Sequence, residues 1–327
     1  MKVLVGIYSP FLAWRIPEPQ VAWLRGEFPD HTFTRADSDE ALLAGIPDAE
    51  VAFSSLVTRE QFVAARRLRW IHSPAAGIGS MLFPESVDSP VVITNSRGNS
   101  AATIAEHVIA VTLALFRQLP VALRRQAERT WAQNELSEPG TIRTLGGAHV
   151  LIVGLGAIGT EVARLALAFG ARVTGVRRRP DAGPPAGIDA VVTPDGLLAA
   201  LRHADAVVIA APQTPDTWHL IGSTQLDAMK DGAILVNVSR GKLIDEEALA
   251  RALASGRLGG AALDVFEHEP LAATSPLWSD PRVLVTPHVS GIHERYWPDA
   301  TALFADNFRR FLAGQPLRNV VDKRAGY

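Results

Sequence analysis

The feature that most constrains this chain is the segment 150–179, VLIVGLGAIGTEVARLALAFGARVTGVRRR. Its first four residues are apolar and predict a buried parallel strand. Gly154, Gly156 and Gly159 follow with G-x-G-x-x-G spacing. Apolar residues at steps of three and four then predict a helix that ends at Gly170, and a second apolar strand follows. The segment therefore has the order and the size, about thirty residues, of a strand–helix–strand unit.

The spacing of these glycines is typical of a turn that binds a dinucleotide. The first allows a tight turn, the second lets the backbone approach a pyrophosphate, and the third lets the helix pack against the strand. The helix N-terminus offers backbone amides and a positive dipole end to the phosphates. A structural turn in another α/β protein can also contain such glycines, but here the required strand and helix flank them. We therefore expect five residues to contact a cofactor: Gly154, Gly156, Ala157, Ile158 and Gly159.

The composition narrows the class of protein. A length of 327 residues suggests two domains, and a net charge of -2 gives no indication of nucleic-acid or membrane binding. The absence of cysteine excludes disulfides, thiolate chemistry and cysteine zinc sites, and no pair of histidines has metal-ligand spacing. No apolar run reaches membrane-spanning length, and the start MKVLVGIYSP predicts a strand rather than a signal peptide. We expect a cytoplasmic protein without a metal.

Residues 1–98 alternate short apolar runs with helical patterns, which predicts a small βα domain with its own core. Within it, the segment 72–79, HSPAAGIG, is a loop of small residues directly after a strand. The backbone amides of such a loop can bind a carboxylate. The same residues also fit an ordinary strand-to-helix turn, so the loop alone leaves both readings open.

The longest helical pattern lies at 100–118 and is apolar nearly all round, which predicts a helix that is buried or shared with a partner subunit. Residues 120–145 carry Trp131 and lack a clean period, and we interpret them as an arm over a neighbouring chain. The βα alternation then continues to a last strand at 283–286, and a final helix is predicted at 294–312.

Polar loops follow the later apolar strands and contain Arg240, Asp264, Glu269 and His288. Ligands of a doubly wound sheet bind at the carboxyl ends of its strands, so these side chains can reach one crevice. An arginine fork suits the carboxylate and ketone oxygens of a 2-keto acid. A histidine can donate a proton near neutral pH, and a neighbouring carboxylate favours its protonated form. This combination suits hydride transfer from a nicotinamide that the glycine turn would hold.

The motifs LIVGLGAIG, APQTPDT, LVNVSRG, ALDVFEHEP and TPHVSG occur in this order. With them the chain resembles the D-isomer-specific 2-hydroxyacid dehydrogenases over nearly its whole length. The resemblance implies an α/β fold of two doubly wound parallel-sheet domains. A Rossmann cofactor domain, 99–291, would be inserted in a smaller flavodoxin-like substrate domain, 1–98 and 292–327. It also implies a homodimer joined through the helix at 100–118.

The resemblance assigns roles to the polar residues. It implies that Arg240 grips the substrate, that Glu269 pairs with the acid/base His288, and that Asp264 holds the nicotinamide carboxamide. It also implies three residues that bind the substrate carboxylate through backbone amides: Ala75, Ala76 and Gly77. Further residues of the polar loops are predicted to contact the cofactor: Ala211, Pro212, Thr217, Val238, Ser239, His288 and Gly291.

Departures from the family pattern refine the predicted activity. Arg177 stands 21 residues after Gly156, where NAD-using members carry an acidic residue. Arg177 and Arg178 would attract a 2′-phosphate, which predicts NADP(H) in preference to NAD(H), although a solvated arginine turn that accepts either cofactor is the alternative. Gly79 replaces an Asp that the family often has in the carboxylate loop. Pro287 stands where formate dehydrogenases have Gln, and 72–79 lacks the lysine of phosphite-oxidising members.

We therefore predict an NAD(P)-dependent 2-keto acid reductase that acts on glyoxylate, hydroxypyruvate or a bulkier keto acid. Two alternatives stay open. A biosynthetic 3-phosphoglycerate dehydrogenase would need cations for the substrate phosphate. A dinucleotide-sensing protein, similar to the corepressors of the family, would bind the cofactor without turnover.

Overall fold

The computed structural model describes residues 1–179 and 186–326. The chain divides into two compact units, which we call the first unit (Met1–Ser100 with Ile292–Tyr327) and the second unit (Ala101–Gly291). The first junction lies two residues beyond the predicted position. Asn99 belongs to the first unit, where its Nδ2 donates a hydrogen bond to the carbonyl of Tyr296 at 3.3 Å.

Strands and helices alternate along both units and are numbered in chain order. The strands are β1 Lys2–Gly6, β2 Thr32–Arg35, β3 Val51–Ser54, β4 Trp70–Ser73, β5 Val92–Asn95, β6 His149–Val153, β7 Arg172–Val176, β8 Ala190–Val192, β9 Ala206–Ile209, β10 Ile234–Asn237, β11 Gly260–Leu263 and β12 Val283–Val285. The helices are α1 Glu18–Glu27, α2 Asp39–Gly45, α3 Arg59–Ala64, α4 Pro84–Asp88, α5 Ala101–Phe116, α6 Leu119–Ala127, α7 Gln133–Leu136, α8 Ala157–Ala168, α9 Leu197–Leu201, α10 Ser223–Ala228, α11 Glu246–Ala254 and α12 Tyr296–Leu312.

The first unit is built on a parallel sheet of five strands in the order β2-β1-β3-β4-β5, which is the flavodoxin-like order. Aromatic side chains fill one face of this sheet. Phe304 of α12 stacks on Phe53 at 4.3 Å and on Trp70 at 5.2 Å between ring centroids. The C-terminal helix therefore completes the core of the unit that the N-terminal residues begin.

The second unit is built on a parallel sheet of seven strands in the order β12-β11-β10-β9-β6-β7-β8. The strand order reverses at β6, and alternate residues of β6 enter opposite cores. Leu151 and Val153 join one hydrophobic cluster, whereas Val150 and Ile152 join the other. Helices thus cover both faces, as in a Rossmann domain. The predicted fold class, with one Rossmann and one flavodoxin-like parallel sheet, is confirmed.

Some elements were not predicted. Strands β2 and β8 lie at sheet edges and bury little, so their apolar pattern is weak. Residues 120–145, expected to lack a period, contain α7 and most of α6. Helix α5 packs into the core of its own unit through Val108 and Leu115. No single helix in the described part of the chain is long and apolar enough to cross a membrane, although α5 and α6 pass that test as a pair bent by 66°.

Candidate active site

The glycine turn follows β6, and the second unit's packing requires two of its glycines. Gly154 has φ +104°, and a Cβ there would lie 2.6 Å from the amide nitrogen of Ala211. A Cβ on Gly159 would lie 2.0 Å from the carbonyl oxygen of Gly154. By contrast, among residues 1–179 and 186–326 no neighbouring atom lies within 4 Å of a Cβ built on Gly156. The middle glycine therefore borders open space, as the approach of a ligand to the backbone requires.

Helix α8 begins at Ala157, and its first intrahelical bond runs from the amide of Thr160 to the carbonyl of Gly156 at 2.9 Å. The amides of the preceding turn have no acceptor within the helix, and the dipole places positive charge there. Gly156 and Ala157 are exposed. This glycine cradle, with its exposed helix N-terminus, therefore fits the pyrophosphate of a dinucleotide.

Arg177 and Arg178 follow β7 directly. The amide of Arg177 donates to the carbonyl of Val192 at 2.9 Å, which extends the pairing with β8. Nη1 of Arg178 lies 3.6 Å from Oδ2 of Asp216, a residue of the loop after β9. Both side chains are largely exposed, at 46% and 81%, so water screens this ion pair. This carboxylate lies beside the arginines predicted to bind a phosphate, and no local sequence pattern indicates its position there.

The loops after β9 and β10 are held together by side chains predicted to contact the cofactor. Oγ1 of Thr217 donates to the carbonyl of Pro212 at 2.8 Å, and Oγ of Ser239 donates to the carbonyl of Ala211. Val238 is buried. In the structure these residues therefore shape the edge of the sheet, and their contact with a cofactor stays a prediction.

The structure brings Glu269 and His288 together within the second unit. Nδ1 of His288 lies 2.7 Å from Oε2 of Glu269, and Oε1 of Glu269 accepts a hydrogen bond from the amide of Phe266 at 3.0 Å. Both side chains are partly exposed, at 38% and 36%. Because Glu269 binds Nδ1, the second ring nitrogen, Nε2, lies on the opposite side of the imidazole.

The surroundings of Glu269 keep it ionised. Partial burial by itself raises the pKa of this carboxyl, but the hydrogen bond and charge of His288 lower it, with smaller contributions from the Phe266 amide and Arg240. The balance holds the pKa of Glu269 below its usual value. A carboxylate that stays charged remains a hydrogen-bond acceptor for Nδ1 of His288.

Arg240 follows β10 and is partly buried. Burial lowers the pKa of its guanidinium, and the charge of Glu269 opposes this effect. Its Nη1 donates to the carbonyl of Ser239 at 2.6 Å. The next residue, Gly241, has no room for a side chain, since a Cβ there would lie 1.8 Å from the carbonyl carbon of Phe266. The loop of Arg240 is thus packed directly against the loop of Glu269.

Asp264 follows β11 and accepts the hydrogen bonds that hold the neighbouring loop, which carries His288. It is 1% exposed, and its carboxylate accepts hydrogen bonds from Thr286 Oγ1 at 2.6 Å, the Val289 amide at 2.9 Å and the Ser290 amide at 3.0 Å. Its carbonyl accepts the amide of His288 at 2.9 Å. His288 has φ +53°, a left-handed conformation unusual for residues other than glycine.

Asp264 therefore fixes the backbone that aims His288 at Glu269. The run ALDVFEHEP does not indicate this role, because it does not show which backbone amides will donate to the aspartate. The contact of Asp264 with a nicotinamide carboxamide stays a prediction. Gly291 follows the same loop as the last residue of the second unit.

The predicted carboxylate loop belongs to the first unit. Its carbonyls are held in place, since the amide of Ser96 donates to Ala75 at 3.2 Å and Nδ2 of Asn95 donates to Ala76 at 2.7 Å. The amide of Ala75 already donates to Oγ of Ser73 at 3.2 Å. Within residues 1–179 and 186–326, the amides of Ala76 and Gly77 have no protein acceptor, and both residues are exposed. Two of the three predicted amides are thus available to a carboxylate.

In the described ranges we find no group of three or more His, Asp or Glu side chains that could hold a metal ion. The glycine cradle, the Rossmann sheet and the Arg–Glu–His set at its carboxyl edge together define a class of protein. This is the class of dinucleotide-binding α/β dehydrogenases, in which a histidine–carboxylate pair and an arginine lie at the carboxyl edge of the cofactor domain's sheet.

Comparison with known proteins identifies the family. The family model described as D-isomer specific 2-hydroxyacid dehydrogenase, NAD binding domain, matches residues 109–290. A glyoxylate reductase of Korarchaeum cryptofilum is 33% identical, over 88% of this chain and 86% of the relative. The chain belongs to the D-isomer specific 2-hydroxyacid dehydrogenases, and the predicted resemblance is confirmed.

Two further relatives are similar to this chain. A D-3-phosphoglycerate dehydrogenase of Methanocaldococcus jannaschii is 32% identical over 86% of this chain, which spans only 53% of that relative. The chain thus covers about half the length of such curated relatives. A crystal structure of a D-isomer specific 2-hydroxyacid dehydrogenase from Xanthobacter autotrophicus, in complex with NADPH and MES, matches with a TM-score of 0.85 and 29% identity over 99% of both chains.

Proposed function

We propose that this chain transfers a hydride between NADP(H) and a 2-keto acid or D-2-hydroxy acid, with glyoxylate, hydroxypyruvate or a bulkier keto acid as substrate. The observation that carries the proposal is the 2.7 Å contact between His288 and Glu269. The loop that contains Glu269 packs directly against the loop that contains Arg240. These residues stand at the carboxyl edge of the sheet that carries the glycine cradle.

In the proposed reaction, the bound nicotinamide dinucleotide supplies the hydride. Arg240 orients the carboxylate and the ketone oxygen of the substrate with its planar fork of donors. Glu269 accepts a hydrogen bond from Nδ1 of His288 and so orients the ring. Nε2 of His288 then donates its proton to the ketone oxygen as charge develops there. In the oxidative direction the same nitrogen accepts the proton.

The test is the loss of NADPH absorbance with a panel of glyoxylate, hydroxypyruvate and phenylpyruvate, together with the oxidation of 3-phosphoglycerate. Turnover of a simple keto acid supports the proposal. The half-length match to phosphoglycerate dehydrogenases makes that activity the second candidate, and turnover of 3-phosphoglycerate alone would favour it. Tight NADPH binding without any turnover would indicate a dinucleotide sensor instead.

We propose further that NADP(H) is preferred over NAD(H), because Arg177 and Arg178 follow the strand whose end faces the adenosine ribose in a Rossmann domain. A charge-assisted hydrogen bond is worth about 1.5–3 kcal/mol, and solvent at this edge reduces that value. One good contact then gives a preference of about ten-fold. Values of kcat/KM for NADPH and NADH at a fixed keto acid measure it, and equal values would contradict it.

Arg177→Asp supplies the control for the cofactor proposal. It should weaken NADPH binding in a fluorescence titration and leave the KM for the keto acid nearly unchanged. The matched variant is Arg172→Asp, which makes the same charge change on an exposed residue at the opposite end of β7. It should leave the binding of both cofactors unchanged.

We also propose the homodimer that the family resemblance implies, with the region after α5 as part of the interface. Apolar side chains of this region are exposed: Leu119 48%, Leu123 63%, Trp131 89% and Ile142 40%. Several exposed apolar side chains within one segment of the chain favour a protein partner. Sedimentation of the wild type and of Leu123→Ser tests this, and a monomeric wild type at micromolar concentration would rule it out.

A further inference from the structure

A second group of exposed apolar side chains lies in the first unit, in the loop that follows β1. Phe11 is 59% exposed and Leu12 is 81% exposed, and we call this pair the apolar tip. Leu12 begins a single 3-10 turn, Leu12–Trp14. A single exposed apolar side chain is ordinary, but two adjacent ones form a small apolar patch of the kind that marks a contact site.

Contacts with neighbouring residues fix the conformation of the loop that carries the apolar tip. The ring of Trp14 packs edge-on against Tyr296 with 5.4 Å between centroids, and Nε1 of Trp297 donates to the carbonyl of Ala13 at 3.2 Å. Arg15 closes the loop through a hydrogen bond from Nη2 to the carbonyl of Ser9 at 2.9 Å. Side chains of α12 therefore hold the backbone of the turn while the apolar tip stays in solvent.

The same tyrosine connects the apolar tip to the carboxylate loop. The buried hydroxyl of Tyr296 donates to the carbonyl of Pro74 at 3.0 Å, directly before Ala75. Tyr296 thus packs against the turn that presents the apolar tip and hydrogen-bonds the start of the loop whose amides at Ala76 and Gly77 are available. The two surfaces are fixed with respect to one another within one unit.

The sheet sets the distance between the points at which these two loops begin. The strands β1, β3 and β4 are adjacent, so the loops that follow them leave the same edge in this order. Two strand spacings of about 4.8 Å separate the loops after β1 and β4 by about 10 Å. The intervening loop presents a third apolar side chain, Leu56, which is 38% exposed. Oγ of Ser54 lies within hydrogen-bond distance of the carbonyls of Gly6 at 2.8 Å and Leu56 at 2.5 Å, and its single proton bonds one of them and so ties down that loop.

We infer that the apolar tip, with Leu56, is the subsite for the substrate side chain, and that the enzyme selects 2-keto acids with a bulky apolar side chain over glyoxylate. The inference rests on the proposed function. The amides of Ala76 and Gly77 would take the carboxylate at one end. A branched aliphatic or aromatic side chain spans the remaining distance and covers the apolar tip, whereas glyoxylate has no group to place there.

The experiment compares the wild type with Phe11→Ser and Leu12→Ser, both at exposed positions where the fold does not depend on the side chain. The dissociation constants of D-phenyllactate and glycolate are measured by ligand NMR in the presence of NADP⁺, which requires no turnover. Covering apolar area of a Leu or Phe side chain is worth about ten-fold in affinity. We expect phenyllactate to bind about ten-fold more weakly to each variant and glycolate to bind unchanged.

Val63→Ser is the matched control, because Val63 is 65% exposed on α3 of the same unit and has no place in the subsite. It should bind both acids as the wild type does. Unchanged phenyllactate binding by both tip variants would overturn the inference. A changed sedimentation mass in those variants would also overturn it, because the apolar tip would then be a contact between copies of the chain.

Failure of the proposed function has a different signature. In that case the wild type turns over no keto acid of the panel, while the binding comparison still decides whether the apolar tip recognises the side chain. If turnover is present, kcat/KM for phenylpyruvate should fall about ten-fold in the variants while kcat/KM for glyoxylate stays constant.

Discussion

Asp264→Asn is the substitution whose effect the structure defines most closely. The carboxylate is 1% exposed and receives three donors, from the Thr286 hydroxyl and from the amides of Val289 and Ser290. Asparagine keeps the size of the side chain but replaces one acceptor oxygen with an NH2 group. In either orientation of the amide, that NH2 group faces at least one backbone N–H. One buried amide therefore loses its acceptor.

The magnitude follows from this loss. A hydrogen bond to a charged group contributes about 1.5–3 kcal/mol, and burial prevents water from replacing it. The left-handed conformation of His288 carries a further cost of about 1–2 kcal/mol that the Asp264 bonds now offset. We expect the free energy of unfolding of the second unit to fall by about 2 kcal/mol. Because the loop also aims His288, kcat should fall by about ten-fold or more.

Urea unfolding followed by tryptophan fluorescence measures the loss, and hydrogen exchange of residues 286–290 locates it. The control is Asp231→Asn, since Asp231 is 84% exposed and pairs only loosely with Arg257 at 3.4 Å. Substitutions at such sites stay within about 0.5 kcal/mol. If Asp264→Asn were as stable as this control, with unchanged exchange in the loop, Asp264 would not hold the loop as the hydrogen bonds indicate.

Three further substitutions concern the catalytic set. His288→Ala should lower kcat by about 10²–10⁴-fold with little change in NADPH affinity, and near-normal turnover would remove His288 as the acid. Arg240→Lys keeps the charge but loses the planar fork, so kcat/KM should fall for every keto acid, whereas a value close to that of the wild type would mean that a point charge suffices. Glu269→Gln should lower kcat/KM, because the hydrogen bond that holds Nδ1 of His288 loses its charged acceptor, and an unchanged kcat/KM would mean that Glu269 does not position the ring. The folded-state pKa of Glu269 is lowered, so its carboxylate stabilises the protein above the unfolded pKa of about 4.3 and this contribution is lost as pH falls through the folded value. The urea midpoint of unfolding should therefore fall less steeply with decreasing pH in Glu269→Gln than in the wild type.

The parts of the fold that could be predicted are those in which one local pattern determines the structure. In 150–176, glycine spacing and apolar periodicity agree, and β6, α8 and β7 form where they were expected. In β2 only Phe33 is buried, and in β8 no residue is fully buried. An edge strand is defined by its neighbour's hydrogen bonds rather than by its own apolar residues, and a single sequence does not show those.

In the candidate site, too, some features could be predicted from local patterns and others could not. The chemical types of Arg240, Glu269 and His288 and their order along the chain indicated the Glu269–His288 pair that the structure contains. The scaffold role of Asp264 depends on a left-handed backbone at His288, which no side-chain pattern encodes. The ion pair between Arg178 and Asp216 joins loops that are far apart in the sequence, so only the folded sheet reveals it.

The close packing at Gly241 has a consequence for protein engineering. A side chain there would meet the carbonyl carbon of Phe266 at 1.8 Å, so the Arg240 loop and the Glu269 loop interlock through bare backbone. Replacing either loop alone with that of a relative would join two surfaces that were not shaped for each other. Chimaeras of this chain should therefore fold stably only when residues 239–243 and 264–270 are exchanged together, with the glycine retained.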